Sequence, residues 1–364
     1  MYYNGYIRLY TVTVATLFLL SPLLALPYIL LGIYRQERSA YFFFALFLGF
    51  LAWLQVPLSD LFRHSLNIYH YLDKPFSYAY VNKQSADYFI PIVNWILVNG
   101  NIPYQYLRLF SVTESFFLLT VIFNYMIETS EREYTYGEVF MRFCIMYLFF
   151  EFIMTTSGVR YGFAVCQYIY ALHLVFNKKS WLPALFFALF ATQIHVSFAF
   201  FIPISVRGNS VSDNSAITIY GFILTIGVRL FLLPLLVLVY QYFNPTRVAQ
   251  YHSCRWTRMA AVWIGMAVMF ISNMTMLYRL TFVLSTIGIF LLLEIEQHSY
   301  VRKRFITILL WCGIMTTLCN TVNYRSIILN SRYQYIAMPV PVILQDHYDK
   351  QWILEHVNGN KMKQ

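Results

Sequence analysis

Long apolar runs, separated by short loops that carry arginine and lysine, dominate this sequence. A run of about 20 apolar residues is long enough to cross a bilayer as an α-helix. The runs are Thr11–Tyr34, Tyr41–Leu58, Tyr106–Met126, Val139–Thr156, Tyr161–Phe176, Trp181–Ile204, Ile217–Tyr240, Met259–Ile271, Leu277–Leu293 and Phe305–Val322. The pattern predicts an all-α, polytopic integral membrane protein with about 10–11 transmembrane helices. Residues 1–364 are interpreted as one transmembrane domain.

The composition argues against a soluble globular protein. Apolar residues make up 59% of the 364 residues and charged residues only 12%, about half the charged share of a typical soluble domain. The net charge of +10 would suggest a nucleic-acid partner in a soluble protein, but here the basic residues lie mostly between apolar runs. They are therefore interpreted as topology signals and anion ligands, and no nucleic-acid partner is predicted. The five cysteines form no CxxC pair and are predicted to be buried free thiols.

The basic loops predict the orientation of the chain. Arg35–Arg38, Asn177–Lys179 and Val301–Arg304 are the strongest cytoplasmic markers, because cytoplasmic loops carry an excess of Lys and Arg. They alternate consistently if the N-terminus lies outside. The sequence does not decide the side of the membrane for the loop Gln241–Arg258. Its arginines indicate a cytoplasmic loop, but they would also suit an outer substrate site.

This orientation places residues 59–105 on the outer, periplasmic face as an amphipathic segment, and residues 324–364 form a C-terminal tail. Within the segment, Asp60–Lys74 is predicted to be an interfacial helix with Leu61, Ile68 and Leu72 near one face. Asp87–Val98 resembles it. Pro22 and Pro27 are predicted to kink the first span.

Charged and histidine residues within or next to spans mark candidate sites, because burying them in lipid is costly. Arg160 follows an outer TTSG segment, where topology gives no reason for a positive charge. The alternative is that Arg160 forms a structural ion pair with Glu151. For Arg142 and Arg229, the favoured interpretation is that the side chain snorkels to an interface or pairs with an acid. The remaining candidates also have structural alternatives: an interfacial anchor for Arg279, a hydrogen-bonded buried histidine for His195, and a solvated face for Asp60, Arg63 and His64.

Several arginines on an outer face, with few carboxylates, indicate an anionic substrate. The guanidinium fork binds phosphate oxygens in a bidentate manner and stays charged. The sequence contains no Walker A, HExxH, CxxC or GxSxG motif, so no metal or cofactor is predicted.

Four segments of this chain resemble the EpsG-like, Wzy-type family of bacterial polysaccharide polymerases. They are Ser59–His64 (SDLFRH), Gly158–Ala164 (GVRYGFA), Phe190–Ser197 (FATQIHVS, with Pro203 beyond it) and Tyr278–Phe282 (YRLTF). Their order and spacing agree with the family over roughly residues 10 to 330. Tyr161 departs from the pattern, because the family usually has glutamine there.

The resemblance implies a bacterial inner-membrane glycosyltransferase, with a GT-C-like arrangement as one option for its fold. Such an enzyme joins O-antigen or capsule repeat units carried on undecaprenyl pyrophosphate, with its active site facing the periplasm. Its partners would be the lipid-linked oligosaccharide, the bilayer and a chain-length regulator. The candidate catalytic residues are Asp60, His64 and His195, and the candidate pyrophosphate-binding residues are Arg63, Arg160, Arg279, Arg247 and Arg255.

Three other functions remain open at this point. An O-antigen ligase would use the same pyrophosphate chemistry with a different acceptor. A flippase or transporter of the lipid-linked unit would be expected to show repeated halves and midplane polar sites. A non-catalytic scaffold would leave the arginines unexplained.

Overall fold

The computed structural model describes residues 2–58, 60–81, 88–150, 152–157, 159–195, 255–256, 259–260, 263–264, 274–298, 301, 303–358 and 361–362. Its helices are α1 Tyr2–Leu20, α2 Pro22–Tyr34, α3 Arg38–Leu54, α4 Asp60–Asn67, α5 Ser77–Val81, α6 Phe89–Asn99, α7 Gln105–Glu128, α8 Tyr136–Phe149, α9 Phe152–Ser157, α10 Val159–Phe176, α11 Trp181–Ile194, α12 Met274–His298, α13 Lys303–Asn323, α14 Arg325–Asn330, α15 Val340–Gln345 and α16 Lys350–His356.

Short 3₁₀ helices cover Ile68–Tyr71 and Tyr333–Ala337, and a two-residue antiparallel ladder joins β1 Val357–Asn358 to β2 Lys361–Met362. The predicted all-α class is therefore confirmed for the described residues. The ranges 196–254, 257–258, 261–262 and 265–273, which include Arg229, Arg247 and Cys254, lie outside them.

Two of the described helices, α7 and α13, are both long and apolar enough to cross a membrane. They match the predicted runs Tyr106–Met126 and Phe305–Val322 closely. The helices α2, α3, α6 and α11 are apolar but shorter. The free thiols of Cys144, Cys166, Cys312 and Cys319 agree with the cysteine prediction, although only Cys166 is fully buried.

The predicted first span, Thr11–Tyr34, is a helical hairpin rather than one kinked helix. The Tyr10 hydroxyl donates to the carbonyl of Tyr28 at 2.9 Å, whereas one continuous helix would separate these residues by about 27 Å. The chain reverses at Ser21, whose side chain caps α2 by accepting from the Leu24 N–H at 3.3 Å. Pro22 follows in the first turn of α2, where its missing N–H costs nothing.

The hairpin also changes the predicted relation between the N-terminus and the first basic turn. The Thr11 hydroxyl donates to Ser39 Oγ at 3.0 Å, so the first part of α1 lies at the same end as the turn at residues 35–38. If that turn is cytoplasmic, the start of α1 is cytoplasmic too, and not outside as predicted. The orientation of α3 and the following segment is unchanged, because it depends on the turn alone.

A second predicted span, Val139–Thr156, is interrupted. Helix α8 ends at Phe149, Phe150 takes an extended conformation, and α9 begins at Phe152. Helix α10 then packs so tightly on α9 that a Cβ on Gly162 would lie 2.8 Å from the Cα of Thr155. Glycine at this position therefore permits the approach that fixes the start of α10.

The chain divides into two compact units, and each is described separately. Unit 1 comprises residues 1–121, 152–205 and 325–364, and unit 2 comprises residues 122–151 and 206–324. In unit 2, Arg142 Nε donates to Glu296 Oε2 at 2.6 Å, and both side chains are almost completely buried. The predicted pairing of Arg142 with an acid is confirmed.

In unit 1 the C-terminal tail packs on the end of α3. The indole N–H of Trp53 donates to the carbonyl of Asp346 at 2.8 Å, and the Val56 N–H donates to Ser331 Oγ at 2.9 Å. The Arg332 N–H also donates to the carbonyl of Leu54, at 3.0 Å. The tail and the segment that follows α3 are therefore neighbours.

The segment at 59–105 that was predicted to be amphipathic contains helices in its described residues, as predicted. Leu61 and Ile68 lie with Ile90 and Leu97 in one buried cluster. Leu72 was predicted on the same face but is 41% exposed. The reason is local: the chain tightens into a 3₁₀ helix before this residue, so the α-helical periodicity no longer applies.

Candidate functional site

The first half of the candidate site is built on α4. Asp60 opens this helix, where a carboxylate is favoured by the helix dipole. Arg63 and His64 follow at the i+3 and i+4 positions, which place their side chains beside Asp60. Leu61, His64 and Ser65 are buried, so the helix is held by its inner face.

The Asp60 carboxylate receives one contact on each oxygen. Arg63 Nη2 donates to Oδ1 at 2.5 Å, and His64 Nε2 lies 3.1 Å from Oδ2. The Asp60 and Arg63 side chains are 45% and 63% exposed, whereas that of His64 is 8% exposed. With Nε2–H donating to the carboxylate, the Nδ1 atom of His64 carries the lone pair.

Arg160 contributes to the electrostatics of this carboxylate. Burial favours the neutral acid, but the hydrogen bond and charge of His64, followed by the charges of Arg63 and Arg160, hold the pKa of Asp60 well below its usual value. Asp60 therefore stays ionised across the physiological pH range. Arg160 stands in the first turn of α10, which the Gly162 contact places next to α9.

His195 joins this region through Tyr161. It ends α11 in an extended conformation and is 8% exposed. Its ring stands edge-on to the ring of Tyr161, with centroids 5.3 Å apart. Because Tyr161 follows Arg160 directly, the predicted residues of α4, α10 and α11 lie in one part of unit 1. Tyr161, the residue that departs from the family pattern, is the one that packs on His195.

The other predicted arginines are described separately from this group. Arg255 and Arg279 belong to unit 2, and Arg247 lies outside the described residues. The backbone N–H of Arg255 donates to Glu294 Oε1 at 2.8 Å. Arg279 lies partly buried in the second turn of α12.

The proposed structural partner of Arg160, Glu151, also lies outside the described residues. Glu114, in α7, accepts from Gln167 Nε2 at 3.0 Å.

Sequence reasoning missed Arg108 and Tyr104, at the start of α7. Arg108 is 1% exposed, and the charges of Arg108, Arg160 and Asp60 all act on Tyr104. The signal was present in the sequence, because Arg108 is a basic residue at the outer end of a predicted span. Arg160 was identified as a candidate for the same reason.

Comparison of the chain with protein-family models, curated proteins and solved structures gives no match.

Proposed function

We propose that this chain is a polytopic bacterial inner-membrane glycosyltransferase that polymerises polysaccharide repeat units carried on undecaprenyl pyrophosphate. The observation that carries the proposal is that Arg160 lies in the same part of unit 1 as the Asp60–His64 pair and Arg63, because its neighbour Val159 packs in the same buried cluster as Leu61. This group combines a base with its carboxylate partner and two cations. These are the components that transfer from a pyrophosphate-linked sugar requires.

The two arginines would hold the pyrophosphate leaving group. Negative charge grows on the pyrophosphate as the bond to the anomeric carbon breaks, and cations fixed in place stabilise it without reorganisation. Arg63 is free to exchange partners, because an exposed ion pair such as Arg63–Asp60 contributes only about 0–1 kcal/mol. Arg160 is partly buried and anchored in α10, so it would provide the fixed cation.

His64 would act as the general base. The acceptor hydroxyl gives its proton to His64 as its oxygen bonds the anomeric carbon, and the electron pair of the broken C–O bond leaves on the pyrophosphate. Histidine suits this role because the ring nitrogen that does not bond to Asp60 carries a lone pair that can accept a proton. Asp60 orients the ring and stabilises the imidazolium that forms, without taking up the proton itself. His195, buried against Tyr161, would position the start of α10.

Loss of this base and its partner is expected to stop polymer growth. We expect His64→Ala to reduce polymerisation by about a hundredfold or more, and Asp60→Asn by at least about tenfold. Lys74→Ala, on the same outer segment, serves as the control and should keep the full polymer. The measurement is the polymer ladder at equal protein level. A normal ladder in both variants would show that α4 only supports the interface and takes no part in catalysis.

The proposed orientation has its support in the packing of unit 1. The C-terminal tail contacts the end of α3, and the outer segment follows that end directly. The tail also follows α13, which the basic loop Val301–Arg304 would anchor in the cytoplasm at its start. Both observations support the proposal that the tail and the outer segment lie on the same, periplasmic side.

Cysteine labelling tests this orientation. Cysteines introduced at Ser77 and Lys350, which are exposed, are expected to react with a membrane-impermeant reagent in cells with a permeabilised outer membrane. A cysteine at Lys179 is expected to react only after the inner membrane is opened. The parent protein, with its native cysteines, gives the background. Labelling at Lys179 in intact inner membranes would overturn the periplasmic placement of the site.

A further inference from the structure

A cavity of about 240 Å³ lies behind the candidate site in unit 1. Its walls come from the outer segment, the start of α7 and the C-terminal tail. Ser65, which neighbours His64, lies in one wall, and Tyr348 and Asp349 of the tail lie in another. The volume is somewhat below the roughly 300 Å³ at which typical small-ligand pockets begin. The cavity therefore suits a small group rather than a whole oligosaccharide.

Arg108 brings a buried positive charge to this cavity. It lines the wall and is 1% exposed. Its guanidinium makes one hydrogen bond to the described residues, from Nη2 to the carbonyl of Gln55 at 2.9 Å. Its Nε–H has no hydrogen-bond partner among them, and no carboxylate in that part of the chain pairs with it. A buried cation without a counter-ion is costly, so an anion that binds here is favoured.

Tyr104 and the end of α7 strengthen this preference for an anion. Pro103, Tyr104 and Gln105 line the same cavity, so the positive end of the α7 dipole faces it. Burial raises the pKa of Tyr104 well above its usual value, against the lowering effect of Arg108 and Arg160. The phenol therefore keeps its proton and remains a donor.

The charge balance selects a monoanion. One buried guanidinium is neutralised by one negative charge, and Asp349 at the cavity wall would repel a dianion such as a phosphate monoester about twice as strongly as a monoanion. The ring of Tyr69, with Lys350 Nζ 5.0 Å from its centroid, and the apolar side chains of Ile68 and Leu97 suit the body of a small ring.

We propose that this cavity binds the carboxylate of an acidic sugar residue, with Arg108 as its ligand. The choice of a sugar acid rests on the proposed function, in which acceptor saccharides lie next to His64. A carboxylate pairs with guanidinium N–H bonds in a planar, bidentate manner. The cavity would then fix one acidic residue of the repeat unit while a neighbouring residue reaches the base.

Direct binding to the purified full-length protein tests this inference without using polymerisation. The probes are glucuronate, glucose and inorganic phosphate, with calorimetry as the measurement. Glucuronate is expected to bind and glucose is not, and phosphate is expected to bind at least about tenfold more weakly than glucuronate. Arg108→Met is expected to weaken glucuronate binding by at least about tenfold. The variant should fold, because removing a buried unpaired charge at similar volume is often neutral or stabilising.

Arg63→Met is the matched control, because it removes an arginine of the candidate active site and leaves the cavity intact. It should bind glucuronate as the parent does. If Arg63→Met loses glucuronate binding and Arg108→Met keeps it, the inference is overturned, because the anion then binds at the active site. In Arg63→Met, which lacks one arginine of the pyrophosphate site, phosphate binding as tight as glucuronate binding would overturn the carboxylate assignment. A protein that polymerises but binds no glucuronate would show a merely hydrated cavity and leave the proposed function standing.

Discussion

Replacing Arg160 by lysine is expected to reduce polymerisation by about a hundredfold, and replacing it by alanine is expected to reduce it further. The physical reason is geometry as well as charge, because an ammonium group cannot reproduce the two-pronged contact of a guanidinium with pyrophosphate oxygens. Both variants should reach the membrane at normal levels. The measurement is polymer formed per protein, either in cells or after reconstitution with lipid-linked repeat units.

Two controls separate catalysis from architecture at Arg160. Arg35→Lys changes an exposed arginine in the turn that precedes α3, whereas α4 follows the other end of that helix. This variant should have full activity. The double variant Arg160→Met, Glu151→Gln removes both members of a hypothetical structural pair, which would restore function if an orphaned buried charge were the only defect. A full ladder from that double variant would contradict the pyrophosphate-binding role.

Breaking the buried ion pair of unit 2 is expected to have the largest effect on stability. Glu296→Leu leaves the guanidinium of Arg142 buried without its carboxylate, and orphaning a buried charge in this way costs about 3–5 kcal/mol. Arg132 and Tyr134 also lose their contacts with Glu296, each at 3.5 Å. We expect low membrane levels and a much lower unfolding temperature in detergent.

The double variant Arg142→Met, Glu296→Leu is expected to recover most of the lost stability, because both charges are gone. The matched control is Arg63→Met, which breaks an exposed pair and should change stability by only about 0–1 kcal/mol. Equal losses in the single Glu296→Leu variant and the double variant would show that packing, rather than the uncompensated charge, sets the effect.

Hydropathy predicted the helices whose apolar run coincides with one uninterrupted helix. Helices α7 and α13 begin and end within a few residues of the predicted spans. Hydropathy did not predict the chain reversal at Ser21 or the helix break at Phe150, both of which lie within apolar runs. A sliding count of apolar residues cannot detect either feature, because the residues on both sides remain apolar and the backbone conformation alone changes.

In the candidate site, contacts within one helix follow from the sequence, whereas contacts between helices do not. The contacts of Asp60 with Arg63 and His64 follow from helical spacing, because the three residues lie within about one turn of α4. The proximity of Arg160 to Asp60, and of His195 to Tyr161, depends on how α9, α10 and α11 pack. The sequence identified Asp60, Arg160 and His195 as charged or histidine residues within or next to predicted spans, but it contained no rule for the distances between them. Arg108 was missed because its run was interpreted only as a span.

The most direct test of the account is the lipopolysaccharide or capsule banding pattern of a strain that lacks this protein. A polymerase joins repeat units, whereas a flippase delivers them and a ligase attaches the product to its final acceptor. The account predicts that the ladder disappears and that a species carrying a single repeat unit remains. Complete loss of the repeat-bearing species would indicate a ligase or flippase instead, and an unchanged ladder would contradict the proposed function altogether.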